Sequence, residues 1–392
     1  MNKYLIIAVI LFALPLGLSA QKSVDDILIQ IEKNNITLSA LRKNTDANKI
    51  GNKTGIFLQN PEIEFNYLWG NPSNIGNRTD FSIRQSFDFP TAYRYKNQIS
   101  DIKNEQAELE YRKQQKIVLL QARNVCIDLI YTNALKLEYT KRLNHAQSIA
   151  KSYKLKFDAG DTNVLEFNKA QMNLLNLNNK IELLEIDRTT LLSELTRLNG
   201  GTIIEFTDSE IQSLIIPTDF EQWYTQAEQS NPILNWLKQE IEISKKQVNL
   251  NKALSLPKFQ AGYMSEIVVG QQFRGISVGL SIPLWENKNT VKYAKANATA
   301  LEAVAADNKV LFYNQLKTLH SKAIRLQSNV TDYRSKLQSF NSSDLLKKAL
   351  DKGEISLIDY IMELSIYYDN VNKMLELDRD MNKAVAELNC YL

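Results

Sequence analysis

From Thr91 to Phe157 the chain contains neither proline nor glycine. These two residues are the strongest helix breakers, so the stretch reads as one helix. At about 1.5 Å per residue it is about 100 Å long. A compact domain of ordinary size cannot bury a rod of that length, so the chain must build something elongated, bundled or hollow. Only 13 glycines and 8 prolines occur in 392 residues, a scarcity that suits long helices throughout.

The chain is also written twice. Asn34-Asn35-Ile36-Thr37-Leu38 aligns with Ser230-Asn231-Pro232-Ile233-Leu234, and Pro61 aligns with Pro257 at the same offset. Further on, Ser82 to Phe87 falls on Ser277 to Ile282, and Asp158-Ala159-Gly160 falls on Asp351-Lys352-Gly353. Each half reads as helix, two short strands, long helix, glycine turn, helix. The first repeat spans 21–199, with strands near 61–70 and 79–89 and a tip turn at 158–163. Residues 200–218, with Gly200-Gly201 and Pro217, form a linker. The second repeat spans 219–392, with strands near 257–268 and 274–285 and a tip turn at 351–356.

Heptad seams run along the helices. Leu174, Leu177, Ile181, Leu184, Leu191, Leu195 and Leu198 step by three and four, with a missed beat at Arg188. The second half has two such seams: Leu319, Ala323, Leu326, Val330, Tyr333, Leu337 and Phe340, then Leu357, Ile361, Leu364, Tyr368, Val371 and Leu375. A narrow apolar stripe at this period packs on a neighbouring helix as a coiled coil.

The segments between the helices change to period two. Ile63, Phe65, Tyr67 and Trp69 share one side of the first, while Glu62 and Glu64 share the other. In the second, Phe81, Ile83, Phe87 and Phe89 oppose Ser82, Arg84, Ser86 and Asp88. Phe259, Ala261, Tyr263 and Ile267 alternate in the third segment, and Ile276, Val278, Leu280, Ile282 and Leu284 in the fourth. An apolar outside with charges inside is the pattern of a membrane barrel. A half-buried hairpin of a soluble domain alternates too, but the aromatic ends Tyr67, Trp69, Phe89 and Trp285 suit a lipid interface. Glu62, Glu64, Arg84 and Asp88 are then lumen residues. Four strands cannot close a membrane barrel, which needs about eight at least, and open edges are not tolerated in lipid. Two, three or more copies must share one.

Lys3, the apolar run Leu5 to Leu14 and the small residues Leu18-Ser19-Ala20 read as a secretory signal peptide, residues 1–20, cleaved after Ala20. No later stretch approaches the roughly 18 apolar residues of a membrane helix. The net charge of +3 gives no case for a nucleic-acid partner. Cys126 and Cys390 are expected to be packing residues, and the spacing does not say whether they pair. His145 and His320 lie far apart, so no metal site or cofactor is expected. No nucleophile elbow or phosphate loop is visible, and the chain reads as a non-enzyme.

Two tandem halves, each a strand pair leading into a very long helix, resemble the TolC-type outer-membrane efflux family. Val278-Gly279-Leu280-Ser281-Ile282-Pro283-Leu284-Trp285 is similar to its G-L-S-x-P-L-F motif. Lys156 to Gln171 and Lys348 to Glu363 are similar to its glycine turns, and the likeness covers nearly the whole mature chain. The resemblance implies a homotrimer in the cell outer membrane that extends into the periplasm as a helical tunnel. It implies a periplasmic adaptor and an inner-membrane pump as partners, docked at tips formed by Gly160, Asp161, Thr162 and Asn163 and by Gly353, Glu354, Ile355 and Ser356. It also implies a periplasmic gate at Asp359, with Glu166 as its repeat partner; the family's second acidic position is Met362 here. Gln85-Ser86-Phe87-Asp88-Phe89-Pro90 resembles the Q-x-F-x-x-P of the heavy-metal-cation branch, but Thr91-Ala92-Tyr93-Arg94 replaces the usual G-K-R. The cargo therefore stays open between metal cations and drugs. The lipid-carrying cysteine of many relatives is missing. The competing function is a soluble periplasmic coiled-coil adaptor or scaffold.

Overall fold

The computed structural model describes residues 23–210, 215–340 and 342–390. The expected signal peptide lies outside them. The first half runs α1 (Val24–Asn34), α2 (Ile36–Gly51), β1 (Glu62–Leu68), β2 (Arg78–Phe87), α3 (Pro90–Asp158) and α4 (Val164–Leu198). The second runs α5 (Phe220–Ser230), α6 (Pro232–Leu254), β3 (Lys258–Val268), β4 (Gln271–Ser281), α7 (Thr290–Ser339), α8 (Ser343–Asp351) and α9 (Leu357–Asn389).

The opening helix of each half is two helices rather than one, and the repeated asparagine is the reason. Asn35 is extended and caps α2, its Oδ1 accepting from the Leu38 N–H at 2.8 Å. Asn231 caps α6 in the same way, accepting from Ile233 and Leu234 at 2.7 and 3.0 Å, with Pro232 following at the first helical position. A short side-chain acceptor satisfies N–H groups that the helix itself cannot. Both asparagines are buried, so the two breaks are fixed parts of the core.

α3 has 69 residues and is about 100 Å long. It is packed from the side in three places. Near the sheet, Ala92 and Ile99 meet Ile243, Leu250 and Ala253 of α6. Midway, Val125, Cys126, Leu129 and Ile130 meet Ile27 and Ile31 of α1 and Leu195 and Leu198 of α4. At the far end, Ala150 joins Ala170 of α4 and Leu357, Tyr360 and Leu364 of α9. The second half copies the middle arrangement, with Trp223, Tyr224 and Ala227 of α5 set against Phe312 and Leu316 of α7 and Leu388 of α9.

The heptad residues are buried or half-buried, with one exception. Phe340 is 72% exposed, because α7 ends there and the helix resumes as α8. Ser339, Ser342 and Ser343 flank the break, and serine competes for backbone hydrogen bonds inside helices. The missed beat at Arg188 is a polar clasp: its Nε donates to Asn133 Oδ1 at 2.9 Å and its Nη2 to the Phe206 carbonyl at 3.2 Å.

The four strands form one antiparallel sheet in the order β1-β2-β3-β4. β2 pairs with β3 from Arg78 opposite Val268 to Phe87 opposite Phe259, so the strand pairs of the two halves join edge to edge.

Three helices end in the same left-handed cap. Gly160 (φ 83°), Gly200 (φ 67°) and Gly353 (φ 76°) each follow the last turn. The next residue's N–H reaches back five residues, Asp161 to Lys156 at 2.8 Å, Gly201 to Thr196 at 2.9 Å and Glu354 to Ala349 at 2.9 Å. This is the Schellman arrangement, which favours glycine. The surroundings differ. A Cβ on Gly353 would meet nothing within 4 Å, whereas one on Gly200 would lie 2.3 Å from the Asn34 carbonyl oxygen. Gly353→Ala should therefore cost only the left-handed backbone penalty, about 1–2 kcal/mol. Gly200→Ala should lower the denaturant midpoint at least twice as far, since α1 must also move away.

Candidate functional site

The strand register assigns every strand side chain to a face. One face carries Ile63, Phe65 and Tyr67 of β1, Phe81 and Ile83 of β2, Phe259, Tyr263 and Ile267 of β3, and Ile276, Val278 and Leu280 of β4. All of them are exposed, Ile276 by 84% and Val278 by 80%. A contiguous apolar surface of this kind is not left open to water by soluble monomers.

The opposite face is charged. Arg84 pairs with Glu64, its diagonal neighbour across β1 and β2. Glu62 stands opposite Arg84 in the register. Arg78 holds Asp80 at 2.8 Å and Glu266 of β3 at 3.1 Å. Arg78, Asp80 and Glu266 were not among the expected lumen residues, although extending the even-numbered alternation of β2 two positions backward would have found the first two. Asp88 departs from expectation. It lies one residue beyond β2, and its carboxylate accepts from Lys96 Nζ of α3 at 2.8 Å. It clasps the strand-to-helix corner.

The two glycine turns lie at the end of the helices away from the sheet. Asn163 caps α4 by accepting from the Glu166 N–H at 3.0 Å, and Ser356 caps α9 by accepting from the Asp359 N–H at 3.3 Å. Glu166 and Asp359 thus occupy the same position in the first turn, where a carboxylate is favoured by the helix dipole. Asp359 completes a capping box, its carboxylate accepting from the Ser356 backbone N–H at 3.3 Å, and it also accepts from Ser356 Oγ at 2.6 Å. Glu166 accepts from Lys169 at 2.8 Å. Each acid is held by its own turn and not by the other. Asp161, Asn163, Glu354 and Ser356 are exposed, and Thr162 is half-buried. Ile355 turns inward and packs on the far-end core, so it is not part of the open tip surface.

No protein-family model and no curated protein matches the sequence. Solved structures do match. The Campylobacter jejuni CmeC outer membrane channel superposes with a TM-score of 0.77 at 13% identity, over 94% of this chain and 85% of that one. CusC, described through its folding and transmembrane channel formation, gives 0.77 at 12% over 95% and 92%. The open state of the Neisseria gonorrhoeae MtrE outer membrane channel gives 0.72 at 10% over 94% and 88%. The fold is that of the TolC-type outer-membrane channels.

Within the TolC-type fold, both histidines of this chain are structural. His320 Nε2 lies 2.7 Å from the Pro217 carbonyl and ties the linker to α7. His145 on α3 lies 2.9 Å from the Tyr360 hydroxyl on α9, its ring edge-on to the tyrosine. Next to them Arg142 is buried between the rings of Tyr139 and Tyr368, 4.8 and 4.3 Å away, and donates to Asn372 Oδ1 at 3.0 Å. Burial lowers the Arg142 pKa. No metal-binding cluster occurs among the described residues. Cys126 and Cys390 are both free thiols. Burial in the central core pushes Cys126 up to about 12, so it stays protonated and packs as a small apolar side chain.

Burial, with Lys347 nearby, lowers the pKa of His145 below its ordinary value. The folded chain therefore binds that proton less readily than the unfolded chain. The resulting stability is present above the ordinary histidine pKa, about 6.5, and is lost as the pH falls through the lower folded value. After correction for the intrinsic rate, which itself falls as the solution is acidified, protection of α9 amides near Tyr360 should decrease as the pH drops below about 6.5, and the decrease should be smaller in His145→Gln.

Proposed function

We propose that this chain is the outer-membrane channel of a tripartite efflux pump, a passive conduit from the periplasm to the exterior. The observation that carries the reading is the exposed apolar face that spans all four strands, with β1 and β4 left as open edges. Lipid on that face and a further copy on each edge satisfy both. Three copies would give twelve strands, three times four, as in the family the sequence resembles. The charged face then lines the lumen. Among the described residues no helix is long and apolar enough to cross a membrane, so the sheet carries the membrane reading. An apolar face of this breadth argues against a soluble adaptor or scaffold.

The glycine turns are the docking tips for a periplasmic adaptor, and Asp359, with its repeat partner Glu166, lines the inner gate. Symmetry repeats each carboxylate around a narrow mouth, which attracts cations and repels anions. The exported compound, metal cation or drug, is set by the inner-membrane pump that the channel meets.

In mild detergent, native mass spectrometry should find a trimer, and a monodisperse monomer would sink the channel reading. In planar bilayers, Asp359→Asn should lower cation selectivity and weaken block by multivalent cations added from the helical end. Because Asp359 also belongs to the Ser356 capping box, Ser356→Ala is the control. It removes the cap, at a cost of about 1 kcal/mol, but keeps the charge. Equal selectivity in Asp359→Asn and the parent would exclude Asp359 from the gate.

A further inference from the structure

The four strands hold eight charged side chains, and seven of them lie on the lumen face. The eighth is Arg274 of β4. It stands opposite Ser265, whose other neighbour is Phe81, and Phe81 in turn stands opposite Phe65. Arg274 is therefore the one charge on the apolar face. It is exposed, and no carboxylate among the described residues pairs with it. Its Nη2 donates to Gln272 Oε1 at 2.5 Å, and Gln272 Nε2 donates to Ser265 Oγ at 3.2 Å.

Oligomer closure does not supply the missing anion. β4 is an edge strand, and a second copy's β1 added there would bring Ile63, Phe65 and Tyr67 to this face. The acids of β1, Glu62 and Glu64, would go to the lumen with the other even positions. The placement along the strand is also uneven. Thr79, Ser265, Gln272 and Arg274 cluster near the 269–270 turn, at the end away from the helices. Toward the helices the face carries Phe259, Val278 and Leu280. Its one polar side chain there, Gln85, is engaged with the Gln59 carbonyl at 2.7 Å.

We propose that Arg274, with Gln272 and Ser265 beside it, binds the phosphate of a lipid headgroup in the leaflet at the hairpin end of the sheet. The inference rests on the channel reading, since the apolar face must look into lipid. An unpaired guanidinium at the rim of an apolar band reaches outward along its own aliphatic stem. Its planar fork matches phosphate oxygens two at a time. The bond to Gln272 uses one donor and leaves the rest of the fork free.

The test is native mass spectrometry of the detergent-purified oligomer, titrated with a doubly phosphorylated lipid A and with the same lipid stripped of phosphate. The parent should retain the phosphorylated lipid. Arg274→Gln should retain it about tenfold less, the size of one charge-assisted contact, while Arg274→Lys falls between. Lys151→Gln, on the exposed side of α3 far from the sheet, should behave as the parent. Equal retention by Arg274→Gln and the parent, or retention that ignores the phosphates, overturns the proposal. So does displacement of the lipid by excess inorganic phosphate, which would mean a free-anion site. Planar-bilayer conductance of the parent separates the two readings. A conducting parent with unchanged lipid retention in Arg274→Gln removes the lipid site alone, and a parent that never inserts removes both.

Discussion

A helix of 69 residues can be held only from the side. Its own hydrogen bonds fix its shape but not its place, and isolated helices gain little stability from propensity alone. Among the described residues, the molecule meets this constraint with three small cores along α3 instead of one large one. The partner of α3 changes along its length: α6 near the sheet, α1 and α4 in the middle, α4 and α9 at the far end. Each junction is a seam a few side chains wide. Small residues such as Ala92, Ala122, Ala150 and Ala170 let the axes approach closely there, and all four are almost fully buried.

The duplication supplies those partners in matched pairs. Ile27, Leu28 and Ile31 in the first half correspond, 196 residues on, to Trp223, Tyr224 and Ala227, and both sets are buried against the long helices. Asn35 and Asn231 set the same break, and Gly160 and Gly353 the same reversal. The copies diverge where polar contacts take over. The first hairpin is held together by Arg188 and Asn133, whereas the linker is anchored by His320 on Pro217. A repeat therefore preserves geometry at caps and turns while the side chains that lock each copy differ.

The long helices, the period-two strands and the glycine turns were legible in the sequence because each follows from local chemistry: absence of breakers, alternation, and a residue able to adopt positive φ. What escaped it depends on contacts between distant residues. The charge pair of Arg78 with Glu266 requires the β2–β3 register. Asp88 looks like one more alternating strand residue until Lys96, about two turns into α3, is seen to hold it. The break after Ser339 had weak local signals, overridden by a seam that reads smoothly through Phe340. Ile355 and the capping role of Asp359 needed the folded tip, because a carboxylate three residues after a serine is equally at home in a cap or at a pore.

The pairing of β2 with β3 also governs how the molecule can be made. Phe87 and Phe259 meet although they stand 172 positions apart (259 − 87), and most of the chain between them is the first helical hairpin. Bringing such distant segments together carries a loop-closure cost and slows folding. Until the second half arrives, β1 and β2 form a two-stranded ribbon with an apolar face and no third strand, a form that is marginal in water. A chain delivered from its N-terminus must hold that ribbon unsatisfied while all of α3 and α4 follows. Local contacts therefore favour helical rods that form before the sheet closes, and β1 and β2 keep an uncovered apolar face until the second half arrives.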